Sequence, residues 1–271
     1  MPGTAADDSP LTPETISFYQ AAMRALRDGG VRFLMGGAYA FGPYTGIERH
    51  TKDLDLFLHP TEIGRALDVL SAAGYRCELT FPHWLGKAWN DGDFVDLIFS
   101  SGSGVAVVDD AWFAHSVPAR VFDTDVHLIP AEEMIWSKAF VMERERYDGN
   151  DVVHLLRARG ADMDWRRLID RFGKHWRVLL AHIVIFGFVY PGERGVVPAE
   201  VTAELMGRML AEMAQAPAPD RVCQGTLLSR AQYLMDIGPW GYRDVRLAPQ
   251  VRMRADDIER WTRGIAKDGQ L

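Results

Sequence analysis

Cysteine is nearly absent from this chain of 271 residues: Cys77 and Cys223 lie far apart and form no CxxC unit. That excludes a disulfide framework and a cysteine-built zinc site, and it fits a reducing compartment. Long apolar runs are lacking too. The longest, Val178 to Tyr190, contains His182; it falls short of the ~20 residues a bilayer helix needs and reads as a buried helix. Met1 to Asp8 show no basic segment leading into an apolar core, so no secretory signal is expected. Positive charge is in deficit, with 30 Lys and Arg against 37 Asp and Glu and a formal net charge of −7. This balance argues against a chain whose main task is to coat nucleic acid, though not against a local basic patch. Internal repeats and low-complexity segments are missing. These absences leave the expectation of a soluble, cytoplasmic protein with no membrane partner.

What is present is ordinary globular material, 48% hydrophobic and 25% charged, in a length that suits one large or two modest domains. Residues 1–11 read as a flexible leader. Thr12-Pro13-Glu14 then supplies an N-cap, a proline at N1 and an acidic first turn. Apolar residues follow at helical spacing until Gly29-Gly30 ends the helix. Val31 to Met35 reads as a strand closed by Gly36-Gly37, with a short Ala/Tyr/Phe segment and a Gly/Pro-rich loop after it. Further strands are expected at Asp53–Leu58, Tyr75–Thr80 and Phe94–Phe99, and a helix at Thr61–Ala73. Ser100 to Gly104 reads as flexible, and 119–129 as a hairpin turning at Asp123-Thr-Asp125. From Ala131 the pattern is almost wholly helical: 131–146, 150–159, 164–171, 176–190, 198–214 and 255–265. The expectation is an α+β fold, with a mixed β-sheet and helices over 12–130 and a helical C-terminal domain over 131–271.

The chemistry concentrates in two places. In Asp53-Leu-Asp-Leu-Phe57, strand alternation puts Asp53 and Asp55 on one face, roughly 6.5 Å apart, and turns Leu54 and Leu56 into a core. Two such carboxylates repel each other and are costly to desolvate; a divalent cation with a taste for hard oxygen ligands, such as Mg²⁺ or Mn²⁺, relieves both. In Asp93-Phe-Val-Asp-Leu-Ile-Phe99, Asp96 is a lone charge amid apolar strand residues. If that strand lies beside the first, the three carboxylates form a cup able to hold two metal ions about 3.5–4 Å apart and to clamp an in-line phosphoryl displacement. Gly36-Gly37 allows close backbone approach and can aim free N–H groups at a phosphate.

This order, a glycine pair, then Asp-x-Asp, then a further strand Asp, resembles the nucleotidyltransferase superfold, over roughly residues 31 to 99. Gly-Gly-x-Ala followed by Arg-x-Thr-x-Asp-Leu-Asp-Leu is most similar to the minimal and antibiotic-modifying nucleotidyltransferases and to nucleotidyltransferase-type toxins. The chain departs from the commonest form in carrying Gly37 where Ser is often found. The resemblance implies metal-dependent transfer of a nucleoside monophosphate from an NTP to an acceptor hydroxyl, with pyrophosphate leaving. Asp53 and Asp55 would hold the metals and the NTP phosphates; Asp96 would bind the second metal and help activate the acceptor. In the toxin-type relatives a helical Lys followed by a basic residue and Asp-x-x-Asp borders the nucleotide. Here that implies Lys138 at the triphosphate, with Asp148 or Asp151 nearby.

Plainer readings stand beside these. Asp53 and Asp55 could be strand-end charges facing water. Asp93 could be the ligand and Asp96 a salt-bridge partner. Arg49 is either a phosphate contact or a surface charge. Lys138, Asp148 and Asp151 are either ligands or an ion-pair set on a helix face. The cluster Arg166-Arg167, Arg171, Lys174-His175 and Arg177 suits RNA or a solvated helix face; acidic interruptions favour the latter, and a small-molecule acceptor over nucleic acid. His182 reads as a core histidine, His50 and His83 have no ligand spacing, and Trp240 and Tyr242 read as packing residues. The polar segment Gln224 to Tyr233 either caps a helix or lines an acceptor cleft. The rival function is a non-catalytic nucleotide-binding or regulatory module, including a partner in a toxin–antitoxin pair. Neither the NTP, the acceptor nor an oligomeric state is set by these residues.

Overall fold

The computed structural model describes residues 11–49, 51, 53–248 and 253–263; the expected leader, apart from Leu11, lies outside them. The chain divides into two compact units, Met1–Pro130 and Ala131–Leu271.

The first unit is built as α1 (Pro13–Asp28), β1 (Leu34–Met35), α2 (Gly37–Thr45), β2 (Asp53–Phe57), α3 (Ile63–Ala72), β3 (Arg76–Phe81), β4 (Leu85–Asn90), β5 (Asp93–Ile98), α4 (Asp110–Ala114), β6 (Val117–Val121) and β7 (Thr124–Leu128). The strands form one sheet in the order β3-β4-β5-β2-β1-β7-β6. It is mixed: β2 runs parallel to β5 and β1 to β7, and the other neighbours are antiparallel. Thr12 caps α1 by accepting from the Thr15 N–H at 3.2 Å, which satisfies one of the helix's orphan donors. The apolar face of α1 buries Phe18, Tyr19, Ala22, Met23 and Leu26. One face of the sheet carries Leu54, Leu56, Ala88, Val95 and Leu97, all fully buried, and α1 and α3 pack on these strands. Burial of five such side chains contributes about 1.5–3 kcal/mol for each of the larger ones. The opposite face is left to carry the polar chemistry.

Several local readings are corrected. The Ala/Tyr/Phe segment and the loop after it are in fact α2, a helix that tolerates Pro43 and ends at Gly46 in the left-handed conformation. Tertiary packing of Ala40, Phe41 and Tyr44 overrides the weak propensity of its glycines. Strand β4 has no counterpart in the sequence reading, and β1 is two residues long. The hairpin turns one residue earlier than expected: Phe122 and Asp123 both have positive φ, 49° and 53°, as a two-residue turn matching the strand twist requires. Ser100 to Gly104 is a bonded turn, closed by Ser101 N–H to Ala106 O at 3.0 Å.

The second unit holds α5 (Ala131–Lys138), α6 (Gly149–Arg159), α7 (Trp165–Phe172), α8 (Trp176–Val189), α9 (Ala199–Met213), β8 (Val222–Cys223), α10 (Leu234–Ile237), β9 (Arg243–Asp244) and α11 (Ala255–Arg263). Its described residues are mostly helical, with a two-stranded β8–β9 pair and a Met142–Tyr147 bridge. The helix expected over 131–146 stops at Lys138, because backbone groups beyond it find other partners: Met142 N–H donates to Leu228 O, and Ala139 O faces His182 Nε2 at 3.0 Å. His182 is fully buried, and burial lowers its pKa, so it is a neutral core histidine. Trp165–Val189 is the one stretch among the described residues long and apolar enough to cross a membrane by length and composition. It is not a straight span, since Gly173 (φ 48°) opens a 3₁₀ turn between α7 and α8. Its inward residues Leu168, Leu179, Ile183 and Phe186 are buried.

The polar segment Gln224 to Tyr233 is mostly turn. Thr226 donates to Asp244 at 2.9 Å, and Ser229 and the Arg230 N–H bond Glu143. Trp240 and Tyr242, expected as packing residues, are instead exposed, at 57% and 36%. The free Cys77 and Cys223 form no disulfide.

Candidate active site

Register builds the cup. β2 and β5 run side by side with Asp53 opposite Phe94 and Asp55 directly opposite Asp96, so all three carboxylates share the face that Leu54, Leu56 and Val95 do not use. One carboxylate oxygen from each of Asp53, Asp55 and Asp96 lies within 4.8 Å of the others. Asp93 has the opposite parity, and its Oδ2 accepts from Thr15 Oγ1 on α1 at 2.9 Å. Asp93 is therefore a tie to α1, and Asp96 is the member of the cup.

Asp96 is also a salt-bridge partner. On the other side of β5, Lys87 of β4 stands opposite it, with Nζ 2.7 Å from Oδ1. The pair is short and largely buried. Burial pushes the Asp96 carboxyl up to about 6; Lys87 acts against that shift and Asp53 adds to it.

The glycine pair sits where β1 passes into α2. Gly36 spends its N–H on the Asp55 carbonyl at 2.9 Å, so of the pair only Gly37, at the start of α2, belongs to the helix turn whose N–H groups lack intrahelical partners. Gly37 has φ 54°, and a Cβ there would come within 1.9 Å of Asp55 Oδ2. The Asp55 carboxylate thus lies against the first turn of α2, with room only for glycine. This explains the departure from Ser at that position.

Two residues that the sequence reading passed over belong here. The Tyr39 hydroxyl donates to Thr51 O at 3.0 Å, and Thr51 Oγ1 accepts the Asp53 N–H at 3.3 Å, so α2 pins the segment that enters β2. Burial, with the nearby Asp53 and Asp55 charges, raises the Tyr39 pKa and keeps the phenol a donor. Lys87 is the other. Like Asp96, it is a lone charge in an otherwise apolar strand, Leu85-Gly-Lys-Ala-Trp89.

Of the remaining expected residues, Arg49 is exposed and lies over the Phe41 ring at 4.5 Å. His50 and Lys52 lie outside the described residues. His83 Nε2 is 3.2 Å from Gly102 O. In the second unit, Lys138 Nζ is 2.7 Å from Asp151 and 3.3 Å from Asp148, and Arg146 also holds Asp148 at 2.8 Å. These cations outweigh burial and lower the Asp148 pKa. Four arginines of the basic cluster are in ion pairs, Arg166 with Asp170, Arg167 with Glu132 and Glu133, Arg171 with Glu133, and Arg177 with Glu212, while Lys174 is exposed.

A family model described as an uncharacterised nucleotidyltransferase matches residues 20–182, more than half of the chain. The chain belongs to that family. The matched nucleotidyltransferase region spans all three cup carboxylates, the glycine pair, Lys138 and Asp151. Its activity class is nucleotidyl transfer, and its mixed sheet with flanking helices is a nucleotidyltransferase fold. No curated protein matches the chain. Among solved structures it is similar to the antibiotic-resistance factor ANT(2'')-Ia, at 14% identity and TM-score 0.41, over 75% of this chain and 97% of that one. It is similar to the lincosamide antibiotic adenylyltransferase LnuA, lincomycin-bound, at 12% and 0.38, over 54% and 98%. JHP933 from Helicobacter pylori matches at 13% and 0.37, over 76% and 99%.

Proposed function

We propose that this nucleotidyltransferase binds an NTP with Mg²⁺ or Mn²⁺ at Asp53, Asp55 and Asp96, and moves the nucleoside monophosphate to an acceptor hydroxyl. The observation that carries the reading is the parallel register that sets Asp55 beside Asp96, with Asp53 on the same face. The residues fit a hard divalent cation: the donors are carboxylate oxygens, one from each of three residues, all within 4.8 Å of one another. A bound ion would supply charge neutralisation to the phosphates.

The chain's own groups do the rest. Asp53 and Asp55 would hold the ion on the triphosphate side of the cup. The first turn of α2, opened by Gly37, presents backbone N–H groups to phosphate oxygens. The acceptor oxygen attacks the α-phosphorus, the α–β P–O bond breaks, and pyrophosphate leaves. Asp96, on the face shared with Asp53 and Asp55, takes the acceptor proton. Lys138 and Asp151 are assigned to nucleotide binding, following the toxin-type motif, and Arg49 to phosphate contact. A small-molecule acceptor is favoured, because the four arginines that could form an RNA surface are each ion-paired.

The test is pyrophosphate release and mass spectrometry of labelled products, with each NTP in turn and a pool of small hydroxylated compounds. Asp55→Asn is expected to lower release by at least about a hundredfold, the scale of losing a centre of charge stabilisation. Undiminished release from Asp55→Asn would overturn the reading.

A further inference from the structure

Lys87 belongs to none of the motifs above, yet it is the cation nearest to Asp96 among the described residues. β4 places it opposite Asp96, and its ammonium lies over the Phe94 ring at 4.0 Å. The two side chains are 21% and 12% exposed. A lysine can normally extend its charged end into water; here strand register and the ring hold it inward. Its Nζ lies 2.7 Å from Asp96 Oδ1, so an ion entering at Asp96 has to compete with the ammonium for that carboxylate.

Charge counting gives this consequence. Three carboxylates carry −3 and Lys87 brings the cluster to −2, which one divalent ion neutralises. We propose that Lys87 is the resident counter-cation of the cup and sets its ion stoichiometry. In the protein alone, one divalent ion binds at Asp53 and Asp55 while Asp96 stays with Lys87; a second ion enters only with the negative charge of the NTP. This rests on the metal-site reading of the preceding section.

Titration of the full chain with Mn²⁺ alone, followed by electron paramagnetic resonance, tests it. The measurement is made at about pH 8, where carboxyl groups are ionised. Wild-type protein and Lys87→Arg are expected to bind one Mn²⁺ with similar affinity. Lys87→Met is expected to bind the first ion about tenfold tighter or to take up a second, since a like charge a few ångströms away has gone. Lys87→Gln, measured in parallel with a melting curve for each variant, covers a fold disturbed by the methionine. Wild-type affinity and stoichiometry in folded Lys87→Met and Lys87→Gln would overturn the role of Lys87 and leave the metal site standing. No Mn²⁺ binding by the wild type would overturn both.

Discussion

Asp55 and Gly37 form a single unit at the residue scale. The carboxylate can rest on the first turn of α2 because the residue there has no Cβ, and the same residue holds φ 54°. Restoring the serine commonly found at this position in the superfold should therefore harm this chain. Gly37→Ser is expected to cost about 1–3 kcal/mol of stability from the left-handed backbone and the clash, and to cut transfer by displacing Asp55. Chemical denaturation and pyrophosphate release would check both; a variant with full stability and activity would contradict the packing described. Asp96 permits a second test. Its folded pKa of about 6 stands above the ordinary 3.8, so the folded state holds its proton more tightly than the unfolded one. The favourable contribution is fully present below about pH 4 and is lost as pH rises through about 6. A shift of this size corresponds to about 3 kcal/mol. The stability difference between wild type and Asp96→Asn, both metal-free, should therefore move against the wild type between about pH 4 and 6.5. Added Mg²⁺ should oppose that change, because ion binding favours the ionised carboxylate.

Elements were legible in proportion to how local their signals are. The alternation in Asp53–Phe57 and the lone Asp96 could be read directly, because a period of two needs only the strand itself. That β5 lies beside β2, and not beside a sequence neighbour alone, is a matter of sheet order, and no local pattern encodes it. β4 escaped because Gly86 and Trp89 blur its alternation, and Lys87 escaped with it. α2 escaped because Gly37, Gly42 and Pro43 argue for a loop until buried Phe41 and Tyr44 decide otherwise. In the second unit α5 opens with Glu132 and Glu133, which no local pattern singles out. They form a buried tie: Glu133 is fully buried, and Arg167 and Arg171 of α7 both reach it. Glu133→Gln should take the counter-charge from the largely buried Arg171 and leave Arg167 with Glu132, destabilising the protein by about 3 kcal/mol. Equilibrium unfolding measures this directly, and a loss below about 1 kcal/mol, the size of an exposed pair, would show that the network carries little.

At the scale of the whole molecule, the charge total and the placement of charges point the same way. A net −7 does not by itself keep nucleic acid away, because a single basic stripe can bind phosphates on an acidic protein. The segment Arg166 to Arg177 is the candidate for such a stripe, with a solvated helix face the favoured reading, and its placement in the fold bears on the choice. Arg167 and Arg171 are turned to the buried Glu132 and Glu133, with side chains only 15% and 14% exposed. Arg166 and Arg177 remain at the surface but are paired with Asp170 and Glu212. Each phosphate contact by these arginines would have to displace a carboxylate already in place, so, with Lys174 the exposed cation between them, little counterion release is left to drive association. Binding of single-stranded RNA or duplex DNA should therefore be weak and unselective, with a dissociation constant in or above the ~10⁻⁶ M range near physiological salt. Fluorescence anisotropy over a salt series measures it, and the expected slope of log affinity against log salt corresponds to only one or two phosphates. A nanomolar complex with a steep slope would mean that a basic surface other than α7 and α8 holds the acceptor, and that the acceptor is a nucleic acid.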